Sequence, residues 1–253
     1  MKKIFNILVL SCLVIGGAVL SSCTFTEKIV IEADGSGTYN MDMDMSKFMD
    51  FASSMKESSD DSSESEKIFE EVVDSVIYFS EVLEEKKDSI AKLPLAERLV
   101  LESLKDAKMK MYIDEQNSKM LMNFIYDFNN VNDLKEIQKQ VSKAYSLSNN
   151  KENKSSSTPN NTSYAYTEKS FKRSVVASGL SKKEKADYDK SMEGMSMFFA
   201  GSTYNIEYHF PKKVKSTTAK NVTFSEDKKT LFISYPFEEL LKDESVLDFE
   251  VKF

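Results

Sequence analysis

Hydrophobic residues stand at every second position over much of this chain, and that alternation predicts β-strands. Two stretches show it most clearly, Thr24–Met45 and Tyr204–Phe210. Within the first, Asp34-Gly35-Ser36-Gly37 provides residues suited to a tight reversal of the chain, which predicts a β-hairpin. Further strands are predicted at 108–113, 120–128, 164–176 (weakly), 222–224, 231–235 and 247–253.

Between these strands the hydrophobic spacing changes to a helical period. Helices are predicted at 47–55 with Ser46 as the N-cap, at 68–87, at 95–105 behind Pro94, and at 131–145, 181–200 and 237–242. Two polar runs, about 53–66 and 148–163, are rich in Ser, Asn and charged residues, and they are predicted to be flexible.

These elements together predict an α+β fold. Strands with one polar face form antiparallel sheets that are covered on a single side. We therefore expect an antiparallel sheet of about seven to nine strands, built from hairpins, with helices packed on one face. Phe124 and Ile206 are assigned to the buried face of this sheet.

The first 23 residues follow a different pattern. Lys2 and Lys3 precede an apolar run from Ile4 to Leu20, which leads through two serines to Cys23. A short basic start, an apolar segment and small residues are typical of a secretory signal. An ordinary cleaved signal peptide and an uncleaved membrane helix are the alternatives, although the run is shorter than the roughly 20 residues that span a bilayer.

The segment Leu20-Ser21-Ser22-Cys23 resembles the lipobox of bacterial lipoproteins. The resemblance implies that residues 1–22 are removed, that Cys23 becomes thioether-linked to a diacylglycerol, and that the new amino terminus is acylated, with palmitate as a typical chain. Residues 23–253 then form the mature α+β domain. In enteric bacteria an Asp after the cysteine retains a lipoprotein at the inner membrane, so Thr24 favours the outer membrane, with its periplasmic or surface face undetermined.

The chain as a whole is similar to uncharacterised lipoproteins of Gram-negative envelopes, which combine a lipobox with an early hairpin like the one around Ile29–Gly37. More remotely, it is similar to LppM-type lipoprotein domains, which share an early strand, an Asp-Gly turn and a return strand and are linked to lipid or glycolipid binding. The resemblance does not extend to the middle of the chain, Ile68–Ala107. It assigns no functional residue besides Cys23.

Composition narrows the function classes. The net charge is −7, and because residues 1–22 contain two lysines and no acidic residue it becomes −9 without them. An acidic protein is a poor partner for nucleic acid and for anionic lipid head groups, so the membrane link must be covalent. Of the two cysteines, Cys12 lies in the signal and Cys23 in the lipobox, which leaves no thiol for a disulfide.

His209 is the single histidine of the chain. It lies between Tyr208 and Phe210 in an alternating strand, so it is predicted to face away from the apolar side. One histidine without a cysteine partner excludes the usual zinc sites, and no Gly-x-Ser-x-Gly motif provides a nucleophile for a Ser–His–acid triad. We therefore predict a surface residue and no catalytic or metal site here.

The acidic run with Asp42, Asp44 and Asp50 resembles a calcium loop only in part. Lys47 occupies the sixth position, where glycine is needed, and Ser53 the twelfth, where an acid is needed. A solvated strand face is the alternative interpretation, and we prefer it.

The methionines form pairs at alternate positions: Met41, Met43 and Met45, then Met109 and Met111, then Met120 and Met122. Copper ligation is one interpretation, but the predicted strands place these side chains on the inward face, where methionine fills a core or lines an apolar ligand site.

The glycines of Asp34–Gly37 join two predicted strands, so this segment is interpreted as a turn and not as a phosphate loop.

We expect a non-enzymatic, membrane-anchored lipoprotein of the cell envelope that acts by binding or scaffolding. The alternative is a carrier of lipid or another apolar ligand, and a hydrolase is a third hypothesis. A carrier predicts an apolar pocket, a scaffold predicts a filled core with an exposed patch, and a hydrolase predicts converging carboxylates. The expected partners are the membrane, through Cys23, and an envelope protein or lipid; no cofactor, metal or nucleic acid is expected.

Overall fold

The computed structural model describes residues 23–50, 72–135, 160–177 and 199–253, together with positions 181–183, 186 and 190. This part of the chain forms an α+β fold, as predicted. The predicted signal 1–22, the segment 53–66 and most of the helices predicted at 131–145 and 181–200 lie outside the described residues.

Twelve strands and several short helices make up the described residues. The strands are β1 Thr24–Ile31, β2 Gly37–Asp44, β3 Val73–Tyr78, β4 Ala107–Asp114, β5 Lys119–Phe128, β6 Asn160–Thr167, β7 Ser170–Ala177, β8 Thr203–His209, β9 Ser216–Thr217, β10 Thr223–Phe224, β11 Thr230–Pro236 and β12 Phe249–Lys252. The helices are α1 Phe79–Glu85, α2 Lys87–Ile90, α3 Leu95–Glu102 and α4 Phe237–Lys242, with 3-10 turns at Val131–Asp133 and Glu244–Leu247. Residues 46–50 are also helical.

The strands form two sheets. The larger has eight strands in the order β10-β11-β8-β1-β2-β5-β4-β3, and the smaller has four in the order β6-β7-β12-β9. Neighbouring strands are antiparallel except β1 and β8, which run parallel, with Thr24 opposite Thr203 and Val30 opposite His209. The parallel pair places the first strand of the domain in the middle of the larger sheet.

The predicted hairpin at Thr24–Met45 is β1 and β2, and its turn explains the two glycines. Gly35 has a φ of 89°, in the left-handed region that favours glycine. At Gly37 a Cβ atom would lie 1.8 Å from the Val30 carbonyl oxygen, so no larger residue fits. Asp34 stabilises the turn by accepting a hydrogen bond from the Ser36 amide at 3.0 Å.

The helix predicted at 68–87 is wrong over part of its length, because Val73–Tyr78 is strand β3. Val73 and Val76 are three positions apart, which is a helical spacing, but β-branched residues also favour strands, and pairing with β4 decides between the two. Val73, Ser75 and Ile77 are half-buried while the residues between them are exposed. The helix begins only at Phe79.

Three further local predictions need correction. Ser46 was predicted to cap the helix that follows, but Asp44 accepts the Ser46 amide, and the Ser46 hydroxyl accepts the Met120 amide at 3.2 Å. The last residues of the segment predicted to be flexible, 160–163, belong to β6. The weak strand predicted at 164–176 is a hairpin of β6 and β7.

The hydrophobic core lies between the two sheets. Phe171 of β7 packs edge-on against Tyr208 of β8 with ring centroids 5.5 Å apart, and Val251 of β12 is fully buried. The larger sheet is therefore covered by a second sheet in addition to helical residues such as Leu240. The sequence pattern predicts the strands but not their division between two layers.

Phe124 and Ile206, assigned to the buried face, are 7% and 1% exposed. Replacing either by alanine is expected to lower the free energy of unfolding by about 2–5 kcal/mol, because each leaves a cavity in the core. Urea denaturation measures this loss. Phe232→Ala is the matched control, since Phe232 lies on the other face of the same sheet and is 38% exposed. Equal effects at Phe124 and Phe232 would contradict the assignment of faces.

Candidate functional site

A buried ion pair joins the two sheets. Glu27 of β1 is completely buried and Arg173 of β7 is 2% exposed, and Arg173 Nη2 donates to Glu27 Oε2 at 3.2 Å. Tyr164 and Tyr208 each donate a hydrogen bond to Glu27 Oε1 at 2.6 Å, and Tyr204 donates to Oε2. We call these five residues the Glu27 cluster.

Two further donors of Arg173 are also paired. Nε donates to the Tyr208 hydroxyl at 3.2 Å and Nη1 to the Leu247 carbonyl at 3.1 Å. Its guanidinium also lies over the Tyr164 ring, 5.9 Å from the centroid, in cation–π geometry. Both charges are thus paired and hydrogen-bonded, which is what burial of a charge requires.

The charges of the Glu27 cluster determine the protonation states of its carboxylate and its three phenols. Burial alone would raise the pKa of Glu27, but Arg173 and the three tyrosine hydroxyls outweigh it and hold that pKa below its usual value. Burial and the neighbouring carboxylate raise the pKa of Tyr164, Tyr204 and Tyr208 well above the ordinary value. The carboxylate is therefore ionised and the phenols are neutral.

This arrangement suits a structural role better than a chemical one. Both carboxylate oxygens are occupied by donors from β6, β7 and β8, so neither is free to accept a proton from a substrate. The sequence analysis missed the cluster, yet a signal was present. Glu27 has the parity of Phe25 and Ile29 in an alternating strand, so it had to point inward.

Stability is expected to fall in acid as Glu27 is protonated. Because its pKa is lowered by folding, the ionised group stabilises the fold above the unfolded-state pKa of about 4.3. That contribution is lost as the pH falls from there through the lower folded-state pKa. Urea unfolding at decreasing pH should show the loss, and Glu27→Gln should flatten the dependence, whereas the exposed Glu32→Gln should not. Parallel pH curves for the parent and Glu27→Gln would contradict this assignment.

A groove of about 620 Å³ lies on the outer face of the larger sheet, opposite the core. Two rows of side chains cross β1, β2, β5, β4 and β3 in register and line it. The first row is Thr24, Asp44, Leu121, Tyr112 and Asp74, and the second is Thr26, Asp42, Asn123, Lys110 and Val76. Met43, Ser75, Met111 and Met122 lie between the rows, so their backbone forms the floor while their side chains point to the core face.

The groove is mixed in character. Leu121 and Val76 are large apolar residues that stay 40% and 44% exposed. Asp42 is held by Lys28 Nζ at 2.8 Å and by the Asn123 side-chain amide, so it is occupied as a structural acceptor. Asp74 and Lys110 are exposed on the two edge-side strands. Apolar surface flanked by a few polar groups is typical of small-ligand sites, which range from about 300 to 1,000 Å³.

Cys23, predicted to carry the lipid, immediately precedes β1 and is 4% exposed. Burial raises the pKa of its thiol above the ordinary value, and the adjacent Ser202 hydroxyl and Lys47 ammonium offset part of that effect. The groove begins at the next residue, Thr24. The structure thus brings Cys23 and the groove to the same end of the larger sheet.

The other residues considered in the sequence analysis have ordinary surroundings. His209 lies between the buried Tyr208 and Phe210, and its Nδ1 pairs with the Thr230 hydroxyl at 2.9 Å on the outer face, as predicted. Met41 and Met109 pack against the core. Among the described residues, no group of three or more His, Cys, Asp or Glu side chains is placed to hold a metal ion.

Helices of sufficient length and apolarity to span a bilayer do not occur in the described part of the chain. The chain matches no protein-family model and no curated protein. Among solved structures, it is similar to the NMR structure of the folded domain of LppM from Mycobacterium tuberculosis. That comparison has a TM-score of 0.38 and 8% sequence identity, covering 91% of this chain and 88% of the other. At this level the likeness carries no inference about function.

Proposed function

We propose that this chain is a non-enzymatic lipoprotein of the cell envelope, anchored at Cys23, whose groove binds the polar end of a membrane lipid. The observation that carries the proposal is the position of the groove beside the proposed anchor. Thr24 and Thr26 line the groove, and no linker separates Cys23 from β1. At about 3.3 Å per residue, these threonines stand roughly 3 and 10 Å along the strand from the lipidated residue.

The size and lining of the groove support a head group as the occupant. A volume of about 620 Å³ suits a small polar group with some apolar surface and does not suit two full acyl chains. Threonine, asparagine and aspartate side chains offer hydrogen bonds, while Leu121, Val76 and the Tyr112 ring cover the apolar part. The outer membrane, facing either side, is the proposed location.

A carrier of an apolar ligand is the second candidate. The exposed Leu121 and Val76 favour it, because large apolar side chains inside a groove gain most from covering by an acyl chain. We do not propose hydrolysis, the third hypothesis, because three carboxylates near the groove and in the core are occupied by other groups. Glu27 is enclosed by donors, Asp42 is paired with Lys28, and Asp44 accepts the Ser46 amide.

Lipidation at Cys23 constrains the order of events. A thiol reacts as its thiolate, and burial both shields the Cys23 sulfur and raises its pKa. We therefore propose that the sulfur is modified at the membrane before the domain closes around it.

Native mass spectrometry of the protein extracted from its own membrane tests the function. We expect an acyl mass on Cys23 and a co-purified lipid in the parent protein. Leu121→Arg places a bulky charge in the groove and should abolish the bound lipid. Phe232→Arg is the matched control, because Phe232 lies on the same outer face, is 38% exposed, and is outside the groove.

The outcomes separate the hypotheses. Loss of lipid in Leu121→Arg with retention in Phe232→Arg supports a lipid-binding groove, and the mass of the ligand distinguishes a head group in a membrane lipid from a free apolar molecule. A co-purified protein with no lipid would favour a scaffold and contradict the proposal. Binding that survives Leu121→Arg would place the ligand elsewhere.

A further inference from the structure

The backbone of Cys23 is hydrogen-bonded to the rest of the domain. Its carbonyl oxygen accepts a hydrogen bond from the Thr203 amide at 3.1 Å, which continues the parallel pairing of β1 with β8 by one residue. This register places Cys23 level with Ser202. The Ser202 backbone is itself fixed, because its amide donates to the Phe199 carbonyl at 2.9 Å and its carbonyl accepts the Phe237 amide at 2.8 Å.

Two hydrogen-bond donors lie against the Cys23 sulfur. The Ser202 hydroxyl is buried and has no partner of standard geometry among the described residues, and it lies beside the sulfur. The Phe48 amide, in the helical residues 46–50, is the second; it donates to the Met45 carbonyl at 2.9 Å and also lies near the sulfur. A buried hydroxyl without a partner normally costs free energy, so its position beside the sulfur calls for an acceptor there.

The two segments that flank the sulfur contact each other. Lys47 Nζ donates to the Ala200 carbonyl at 3.1 Å, which links the helical residues 46–50 to the segment that carries Ser202. Beside them, Phe199 stacks on Phe237 with ring centroids 4.7 Å apart, and Phe25 contacts Phe237 at 5.0 Å. We call the Ser202 hydroxyl and the Phe48 amide, the two donors beside the sulfur, the sulfur seat.

We propose that the sulfur seat receives the thioether of lipidated Cys23, so that the anchor is a rigid joint and not a flexible tether. This rests on the proposed function. In lipidation by a diacylglyceryl phospholipid, the thiol loses its proton and the sulfur forms a bond to a glycerol carbon. That carbon's bond to the phosphate oxygen breaks, the electron pair leaves on the phosphate, and the released phosphate ester or water takes up the proton. The product sulfur has no proton to donate and only accepts, which matches a seat made of donors.

A rigid joint fixes the orientation of the domain on the leaflet. The turn between β4 and β5 lies at the Cys23 end, because Asp44, at the end of β2, pairs with Leu121 at the start of β5. The turn between β1 and β2 lies at the opposite end, about eight residues or roughly 26 Å away along β1. The joint therefore holds the β4–β5 turn near the head groups and the β1–β2 turn away from them.

Quenching by head-group nitroxide lipids tests the joint in the full chain expressed in its own membrane. A fluorophore is attached at Gln116→Cys, in the near turn, or at Ala33→Cys, in the far turn; the acyl group blocks Cys23, so the new thiol is the one that reacts. We expect strong quenching at position 116 and weak quenching at 33. Ser202→Val, which removes the donor and fills the seat, should equalise them, as should a Gly-Ser-Gly-Ser insertion after Cys23. Ser202→Thr should preserve the difference, and so should Ser234→Ala, which removes an exposed hydroxyl elsewhere.

The acyl mass on Cys23 separates the two possible failures. Its absence from the parent protein overturns the proposed function and the seat with it. If the acyl mass is present but Ser202→Val quenches like the parent, the sulfur seat is overturned and the anchor stands. Should Ser202→Val unfold by circular dichroism, Ser202→Ala replaces it, with the same expected loss of the difference between the two labels.

Discussion

Replacing Arg173 by methionine is expected to lower the free energy of unfolding by about 3–5 kcal/mol. The substitution leaves the Glu27 carboxylate completely buried without its cation, and it removes a donor from the Leu247 carbonyl. Three tyrosine hydroxyls remain on the carboxylate, but neutral donors do not compensate a charge in the low dielectric between the sheets. Urea denaturation of residues 23–253, followed by circular dichroism, measures the loss.

Two variants control this experiment. Lys172→Met changes the neighbouring exposed side chain of β7 and should have almost no effect. Glu27→Gln combined with Arg173→Met should lose less stability than Arg173→Met alone, because a neutral amide can still accept from the tyrosines without carrying a charge. A single Arg173→Met variant as stable as Lys172→Met would show that the ion pair does not hold the sheets together.

Replacing Cys23 by alanine is expected to abolish acylation and to leave the chain without its anchor. Each buried methylene contributes about 0.8 kcal/mol, and stable attachment needs more than one acyl chain, so no partial effect is expected when the attachment point is removed. Incorporation of labelled palmitate and the mass of the mature chain are the measurements. An uncleaved apolar leader also partitions into membranes, so fractionation alone does not decide the result.

Cys12→Ala is the control for that experiment. Cys12 lies inside the apolar run of the predicted signal, and its replacement by a small apolar residue should leave palmitate labelling unchanged. A Cys23→Ala protein that is labelled, processed and localised like its parent would contradict the lipoprotein hypothesis.

The sequence predicts those parts of the fold that depend on local patterns. The β1–β2 hairpin follows from alternation and from a turn in which Gly35 and Gly37 are sterically required. The helical prediction for Val73–Tyr78 is wrong because Val73 and Val76 have a helical spacing, and only pairing with β4 shows that the segment is a strand. The parallel pairing of β1 with β8 joins residues about 180 positions apart, and no local pattern encodes it.

For the site, the sequence provides the position of Cys23 but not what surrounds it. Ser202 and Phe48 come from distant segments, and their approach to the sulfur depends on the β1–β8 register and on the Lys47–Ala200 contact. The groove depends on the shape of five paired strands, so neither its place nor its lining is visible in any one of them. The inward parity of Glu27 was visible, but its partner Arg173 lies in the other sheet.

The central position of β1 has a mechanical consequence. In a lipidated chain, any force between envelope and domain enters at Cys23 and runs along the axis of β1. That strand is hydrogen-bonded over its whole length to β2 on one side and over Thr24–Val30 to β8 on the other. The hydrogen bonds on both sides of β1 are then loaded in shear at the same time, so they resist the force as a group. If the same strand were peeled from the edge of a sheet, its hydrogen bonds would open one at a time.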